Sequence, residues 1–427
     1  MQHIPADSAR KNAAYLLITE GGTKALSLLS FVIMARGLTP QSYGVIALAF
    51  SVGSIFFIFF NLGLEHHLIR AIRHARDVGD DDAPRELLSA VATLKVWILL
   101  PFVGALVLLA ELMQWERSYL PTLFALFFYF YFVSAMQVVL AFFRAFEKMQ
   151  YECVIRVLQA MVLLGVSLWF GCLHPHATYL ALGYATIAGV SLLGVLLFFT
   201  RTTMLIPTVG HWMRVREIAL LRNVKYLFLT GVATSIFSGV DVLIISKMRS
   251  IEEVAVYKNA VMITLALFMV PTAIVQGFFP RLVQPMTQLD TFLRQTHRLL
   301  SRLVPMGMVI AGGCFFAAPF IIPFLFGVRY IAAVDLFRFS LLAFVFATAD
   351  QVYGYGMIAL GAYRAYFMVT LLTSMLSIPL NVLLISRFGL MGGIWTMNVV
   401  HLLLIVFPVT YLYVMRARAR GMPSSGT

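Results

Sequence analysis

Twelve apolar stretches, each about as long as one crossing of a lipid bilayer, constrain the fold of this chain more than any other feature. They fall at about 12–35, 42–64, 88–110, 119–141, 154–172, 178–199, 226–248, 256–279, 303–326, 336–360, 366–386 and 391–414. A crossing needs about 20 mostly apolar residues, and backbone groups in lipid must pair within the chain, which favours helices. With 61% hydrophobic and 12% charged residues, the sequence predicts an all-α integral membrane protein of about 12 transmembrane helices.

Basic residues concentrate on one side of this predicted bundle. Lys and Arg cluster in both tails and in the alternate loops near 65–87, 142–156, 200–225 and 280–302. Cytoplasmic loops carry such an excess, so both termini are predicted to be cytoplasmic. The formal charge of +13 then reflects orientation and contact with anionic membrane lipids. The basic stretches 70–76 and 214–225 are interpreted as cytoplasmic loops, and no nucleic-acid partner is expected.

Motifs of the common hydrolases and nucleotide-driven pumps are absent from the sequence. It contains no GxxxxGK[ST], HExxH or GxSxG pattern. Cys153, Cys172 and Cys314 lie far apart, without the spacing of a metal site. The chain is therefore predicted to move a substrate and not to be an enzyme, with no metal and no bound cofactor.

The two halves of the sequence resemble one another. A shift of 211 residues places 11–36 on 222–247 with seven identical pairs: Asn12/Asn223, Tyr15/Tyr226, Leu16/Leu227, Thr19/Thr230, Thr23/Thr234, Ser27/Ser238 and Ile33/Ile244. Six spans separate the copies, which predicts a parallel repeat with a substrate cavity between two six-helix bundles. The predicted divisions are an N-terminal lobe (1–199), a basic linker (200–225), a C-terminal lobe (226–415) and a cytoplasmic tail (416–427).

The first span of each half carries a polar stripe at helical spacing. The stripes consist of Thr19, Thr23, Ser27 and Ser30 in one half and Thr230, Thr234, Ser238 and Asp241 in the other. Such residues line cavities, and they also hold helices together in membranes. We interpret the stripes as cavity-lining because charged residues share these faces, with packing as the alternative.

Two charges interrupt the first span. Glu20 and Lys24 are four residues apart with the acid first, the favourable order for a pair on one helix face. Such a pair returns well under ~1 kcal/mol, whereas each charge costs roughly 2.5–3.5 kcal/mol at the middle of a span. The pair should therefore face water or protein. Gly21 and Gly22 between them are expected to let the helix bend or open.

Asp241, Asp350, Lys95 and His401 are further titratable residues inside later spans. Asp241 and Asp350 have no basic partner at helical spacing, so each is a candidate for proton or sodium coupling or a protonated structural acid. Lys95 is expected to extend its side chain to the cytoplasmic surface. His401 is expected to be a hydrogen-bonded packing residue.

A motif follows the first span and has a weaker echo in the second half. The segment RGLTPQSYGVIALAFSVGSIFFIFFNLGLEHHLIRAI (36–72) resembles the bacterial polysaccharide flippases, the Wzx-like or O-antigen-repeat transporters, in a "LGPxxYG" turn and a later "GL" step. The matching residues are Arg36, Leu38, Pro40, Tyr43, Gly44, Gly63, Leu64 and Arg70, with Thr39 in place of a glycine. In the second half, Val254, Ala255 and Tyr257 are similar to the family's "VGxY" turn.

This resemblance implies the fold of the multidrug/oligosaccharidyl-lipid/polysaccharide exporters and a location in the bacterial inner membrane. It implies that the chain flips undecaprenyl-diphosphate-linked oligosaccharide by alternating access for O-antigen, capsule or exopolysaccharide assembly. Polysaccharide polymerase and chain-length proteins are candidate partners, beside membrane lipids and the lipid-linked oligosaccharide. The residues expected to contact substrate are Lys24, Thr23, Ser27, Thr234, Ser238 and Tyr353, with Glu20, Asp241 and Asp350 in ion coupling.

The alternative is a cation-coupled multidrug exporter of the same superfamily. Such a protein expels organic cations, which Lys24 beside the carboxylate would repel. A membrane glycosyltransferase is disfavoured because segments such as 249–255 and 387–390 are too short to form a catalytic exterior domain.

Overall fold

The computed structural model describes residues 6–61, 64–80, 82–203, 215–283 and 289–421, and within them the chain is helical, as predicted. The α-helices of the described residues are α1 (Ala6–Gly37), α2 (Pro40–Asn61), α3 (Leu64–Val78), α4 (Ala83–Met113), α5 (Leu120–Ala145), α6 (Met149–Leu168), α7 (Ala177–Thr203), α8 (Val215–Met248), α9 (Ile251–Leu267), α10 (Met269–Val283), α11 (Leu289–Phe326), α12 (Ala333–Ala359), α13 (Tyr363–Phe388) and α14 (Leu390–Gly421). A π-helical turn (Trp169–Leu173) extends α6.

Eleven helical segments of the described residues are long and apolar enough to cross a membrane. Helix α12 is not among them, but it coincides with the predicted span at 336–360 and carries Asp335, Arg338 and Asp350. Helix α3 is a different kind of element. It is short and amphipathic, and its buried residues Leu68 and Ile72 pack against α4 and α5.

Residue contacts divide the chain into two units, 1–232 and 233–427. In the first unit, α5 packs against α2 and α7, and α1 lies along α6 and its π-helical turn. A Cβ atom on Gly37 would lie 1.7 Å from the carbonyl oxygen of Gly171 in that turn. The backbones of α1 and the turn are therefore so close that only glycine fits at position 37.

In the second unit, α12 packs against α9, α11 and α14, and α14 packs against α13. The α13–α14 contact is also a close approach of backbones, since a Cβ on Gly392 would lie 2.2 Å from Leu384. The unit boundary at residue 232 falls within α8, so α8 begins inside the predicted linker and ends in the second unit.

Helix boundaries follow the internal repeat that the sequence indicated. Helices α1 and α8 end at Gly37 and Met248, and α2 and α9 begin at Pro40 and Ile251. Both pairs of positions are 211 residues apart, the shift that aligned the two halves. The register of the repeat therefore continues from the first helix of each half into the second.

Several local expectations were wrong. Helix α1 continues unbroken through Gly21 and Gly22, which were expected to let it bend or open, and α11 continues through Pro319 and Pro323. The basic stretch 70–76 lies in α3, and residues 215–225 lie in α8, where loops were predicted. The rest of the predicted linker, residues 204–214, lies outside the described residues. The break between α9 and α10 at Phe268 comes three residues before Pro271.

Candidate functional site

A line of alternating charges connects four helices of the first unit; we call it the charged chain and define it as Lys24, Glu20, Arg156, Glu152, Arg144 and Glu65. At one end, Lys24 Nζ lies 3.9 Å from Glu20 Oε2, which confirms the predicted pair on α1. Arg156 Nη1 on α6 donates to Glu20 Oε1 at 2.7 Å. The carboxylate of Glu20 is thus shared by two cations.

The charged chain continues through Glu152, whose side chain is only 1% exposed. Arg156 Nη1 donates to Glu152 Oε1 at 3.3 Å. From α5, Arg144 donates through Nε and Nη2 to the two oxygens of Glu152, each at 2.5 Å. Arg144 also donates to Glu65 on α3. The three acidic and three basic side chains of the charged chain together have no net charge, and they lie among packed helices of the first unit.

Helical spacing explains both ends of this arrangement. Glu152 and Arg156 repeat on α6 the acid-first, four-residue spacing of Glu20 and Lys24 on α1. Because α1 packs along α6, the two pairs meet. The sequence reading missed Arg144, Glu152 and Arg156 because it assigned 142–156 to a cytoplasmic loop. The recurring four-residue spacing was the signal that could have identified them.

The polar stripe of α1 divides into buried and exposed members. Thr19 and Ser30 are buried, and their hydroxyls donate to backbone carbonyls of the same helix, as does Thr23. Ser27 and Lys24 are exposed, and the side chain of Lys24 is 52% accessible. Packing therefore accounts for part of the stripe, while Lys24 and Ser27 are accessible to a ligand.

The matching stripe on α8 has a similar division. Thr230 is buried, whereas Thr234 and Ser238 are exposed. The Ser238 hydroxyl donates to the carbonyl of Ser235 at 3.2 Å. Exposed hydroxyls at corresponding positions of α1 and α8 extend the repeat from the sequence to the surface of each helix.

Asp241, at the far end of this stripe, is held by the next helix. Tyr257 Oη on α9 donates to Asp241 Oδ2 at 2.7 Å, and the backbone N–H of Val242 donates to Oδ1 at 2.8 Å. Lys258 lies near enough to attract the carboxylate. Tyr257 is fully buried, and a Cβ on Gly393 of α14 would lie 2.9 Å from its ring. Close packing against α14 therefore fixes the phenol on Asp241.

Asp350 has a partner that its own helix could not supply. Its Oδ2 lies 2.5 Å from Nδ1 of His401 on α14, and both residues are buried. The imidazole also makes edge contacts with the rings of Phe237 and Phe268, at centroid distances of 5.8 and 5.2 Å. His401 is hydrogen-bonded and packed, as expected, and its partner is the acid singled out for ion coupling.

A cavity of about 220 Å³ opens beside Asp350 within the second unit. Gln351, Tyr355 and Tyr366 line it with Asp350. No donor among the described residues reaches the buried Oε1 of Gln351. Tyr353, the tyrosine expected to contact substrate, is instead buried in an apolar cluster with Phe292, Leu293 and Leu412.

Lys95 does not extend to the cytoplasmic surface, so that expectation was wrong. Its side chain is 4% exposed, and Nζ donates to the Phe60 carbonyl at the end of α2 and to the Ser134 hydroxyl. Ser134 in turn donates to Asn61 Oδ1 at 2.7 Å. The ammonium therefore joins α4 and α5 to the negative end of the α2 dipole. Among the described residues, no group of three or more His, Cys, Asp and Glu is placed to hold a metal ion.

Two helical units built from membrane-length helices, with ion pairs between those helices, define a multi-pass membrane protein. Solved structures of this class share the fold. An inward-facing multidrug resistance MATE family transporter of the MOP superfamily matches with a TM-score of 0.72 and 14% identity, over 96% of this chain and 99% of the other. The lipid II flippase MurJ in an inward closed conformation matches with a TM-score of 0.72 and 10% identity, over 94% and 87%.

Sequence comparison identifies the family. The profile described as "Polysaccharide biosynthesis protein" matches residues 9–286, and the chain belongs to that family. An outward-facing MATE family transporter is similar in structure as well, with a TM-score of 0.64 and 13% identity over 97% of this chain and 96% of the other. No curated protein matches the chain in sequence. The predicted family and all-α membrane fold are confirmed.

Proposed function

We propose that this protein flips polyprenyl-diphosphate-linked oligosaccharide across the bacterial inner membrane, for assembly of O-antigen, capsule or exopolysaccharide. Membership of the polysaccharide biosynthesis family supports this function. The observation that carries the proposal is the cationic end of the charged chain, where Lys24 and Arg156 share the single carboxylate of Glu20. A diphosphate can replace that carboxylate and contact both cations through charge-assisted hydrogen bonds.

Lys24 and Arg156 would bind the diphosphate, while the exposed hydroxyls of Ser27, Thr234 and Ser238 suit the sugars. Thr23 remains a candidate substrate residue through its position beside Lys24. A multidrug exporter of organic cations is disfavoured because two cations on one carboxylate repel such a substrate. The structural likeness to multidrug transporters concerns the fold alone.

Asp350 is the residue we propose for ion coupling in the second unit, with His401 as its partner. A carboxylate and the unpaired Oε1 of Gln351 line one cavity, and oxygens of these types suit a proton or a hard cation such as sodium. Asp241, held by Tyr257, is the second coupling candidate of this unit. In the first unit, protonation of Glu20 would release the two cations for the substrate.

The test uses cells whose own polysaccharide flippase is deleted and replaced by this protein. Wild type is expected to restore surface polysaccharide, whereas Lys24→Ala and Asp241→Asn, at equal protein levels, leave lipid-linked repeat units on the inner leaflet. Lys247→Ala, in the last turn of α8, is the control and is expected to act as wild type. Normal display with both Lys24→Ala and Asp241→Asn would remove these residues from the mechanism. Resistance to organic cations without any polysaccharide display would refute the function.

A further inference from the structure

An apolar groove of about 650 Å³ runs between α6 and α7 of the first unit. Its walls are aliphatic and aromatic side chains with one glycine, and the most prominent are Val154, Leu158, Val162, Val190, Gly194 and Phe198. Several of these side chains are strongly exposed, Val190 by 65% and Val154 by 64%. In a membrane-spanning unit such a groove must be filled by a hydrocarbon chain, because apolar surface between spanning helices does not hold water.

The polar side chains of Gln159 and Ser191 interrupt this apolar lining. Gln159 is only 9% exposed, and no acceptor among the described residues reaches its Nε2. A buried amide donor without an acceptor is costly and uncommon. A saturated acyl chain has no acceptor for the Gln159 N–H. The side chain therefore indicates an occupant with an oxygen atom at this depth.

Gln159 lies between the groove and the charged chain. Each helical residue turns about 100°, which places Arg156 about 60° around α6 from Gln159, one turn away along the axis. The groove residues Ile155 and Leu158 lie on the other side of Gln159. Around α6 the side chains are therefore apolar groove residues first, then the unpaired amide donor of Gln159, then the guanidinium of Arg156. That guanidinium donates through Nη1 to Glu20 at 2.7 Å. The same order of apolar, polar and anionic parts is found in a lipid diphosphate.

We propose that this groove binds the polyprenyl tail of the cargo, with the Gln159 amide donating to the phosphate oxygen that joins tail and diphosphate. The inference rests on the proposed function. Bulk lipid is as apolar as the groove, so burial alone does not select an occupant. Selection comes from tethering: a tail whose diphosphate is bound at Arg156 and Lys24 has a high effective concentration in the neighbouring groove.

The position of the groove suits this role. Its residues lie toward the start of α6 and the end of α7, and the rings of Tyr151 and Phe198 make an edge-to-face contact at one end with a centroid distance of 5.2 Å. With the termini cytoplasmic, that end is the cytoplasmic half of the first unit. The groove therefore lies in the leaflet in which a lipid-linked oligosaccharide is made before it is flipped.

The full-length protein in phospholipid nanodiscs tests the proposal with a polyprenyl diphosphate that carries a diazirine in its tail. After irradiation, labelled peptides are expected from both 151–162 and 187–198. Gly194→Leu fills the groove, since a Cβ there meets no other atom, and is expected to lose most of this labelling. Gly165→Leu is the matched control, an exposed α6 glycine outside the groove whose Cβ also meets nothing, and is expected to label as wild type. Val190→Trp fills the groove from α7 and is used if Gly194→Leu does not fold.

A second experiment tests the amide of Gln159. Unlabelled polyprenyl diphosphate is expected to displace the probe from wild type about tenfold better than polyprenol of the same length, as expected for charged contacts. Gln159→Leu is expected to weaken competition by polyprenyl diphosphate and to leave competition by polyprenol unchanged. The difference between the two lipids therefore becomes smaller. Equal competition by the two lipids in wild type would overturn the role of the headgroup, and an unchanged difference in Gln159→Leu would overturn the role of the amide.

The outcomes separate this inference from the proposed function. Equal labelling of the groove by a diazirine phosphatidylglycerol, with no competition from polyprenyl diphosphate, would make it a site for bilayer lipid and overturn the inference. Normal flipping by Gly194→Leu without labelling would also overturn the inference and leave the proposed function standing. Specific labelling of a wild-type protein that flips no lipid-linked oligosaccharide would refute the function but support the groove as a polyprenyl site.

Discussion

Arg156 on α6 donates to Glu20 on α1 at 2.7 Å, which pairs a cation of the candidate substrate site with a carboxylate of the neighbouring helix. The same carboxylate faces Lys24 on its other oxygen, at 3.9 Å. In the proposed mechanism, Glu20 pairs with both cations until the diphosphate of the substrate displaces it. A site of this kind can bind a diphosphate and still release it, because the carboxylate returns when the substrate leaves.

Glu20→Gln is predicted to tighten binding and to slow flipping. The amide does not compete with phosphate for Lys24 and Arg156, so polyprenyl diphosphate should bind about tenfold more tightly, the effect of one charge-assisted hydrogen bond. Release then becomes slower, and flipping in proteoliposomes falls. The exposed Glu147→Gln, outside the charged chain, is the control. Weaker binding by Glu20→Gln would mean that Glu20 organises the cations and does not compete with the substrate.

Gly393→Ala is predicted to impair the protein through Tyr257. The added methyl group would lie 2.9 Å from a fully buried ring, and overpacking of this kind costs about 1–3 kcal/mol of unfolding free energy. The displaced phenol no longer donates to Asp241, so Gly393→Ala should also lose ion-driven flipping. Tyr257→Phe removes the same hydrogen bond and should show the same loss, with a smaller decrease of about 1 kcal/mol in the free energy of unfolding. Gly313→Ala, whose Cβ meets nothing, serves as the control. If Tyr257→Phe keeps full ion dependence, the phenol does not position Asp241 for coupling.

Asp350 and His401 are predicted to be energetically coupled. In a double-mutant cycle of Asp350→Asn and His401→Gln, the unfolding free energies should show an interaction of about 1–3 kcal/mol, because the buried pair acts as one unit. The exposed pair Asp335 and Arg338, three residues apart on the same helix α12, is the comparison and should give about 0.5 kcal/mol or less. Both single variants should also lose dependence of flipping on the ion gradient. Strong coupling with normal gradient dependence would assign the pair to stability alone.

Lys95→Met is predicted to be nearly neutral or stabilising. It removes a buried ammonium whose hydrogen bonds go to a carbonyl and a hydroxyl, and replacing buried charge by a well-packed apolar chain is often favourable. Ser134→Ala, by contrast, keeps the charge and removes an acceptor, so it should lower the unfolding free energy by about 1–3 kcal/mol. Thermal unfolding in detergent distinguishes the two. The opposite order would show that the Lys95 ammonium contributes net stability.

The sequence predicted what depends on position along one helix and missed what depends on neighbours. Hydropathy located the spans, and four-residue spacing paired Glu20 with Lys24. The partners Arg156 and His401 lie 136 and 51 residues from Glu20 and Asp350, and no periodicity within one helix indicates them. Lys95 was misplaced for the same reason, since its acceptors come from α2 and α5.

The effect of a proline within a span depends on what replaces the lost hydrogen bond. Pro319 and Pro323 stay within α11, whereas Pro271 follows a break. Membrane helices tolerate proline where neighbouring groups satisfy the freed carbonyls, and these neighbours cannot be read from the sequence around each residue.

The backbone contact at Gly37 gives α1 a fixed point about which the rest of the helix can tilt. At one end the helix rests on the π-helical turn, where even a methyl group does not fit. Glu20 lies roughly 25 Å away along the axis at 1.5 Å per residue, and there its carboxylate pairs with Lys24 and Arg156. When these ion pairs break, the backbone contact at Gly37 remains. A tilt of α1 by a few degrees about Gly37 is then enough to move the Glu20 carboxylate out of reach of Arg156.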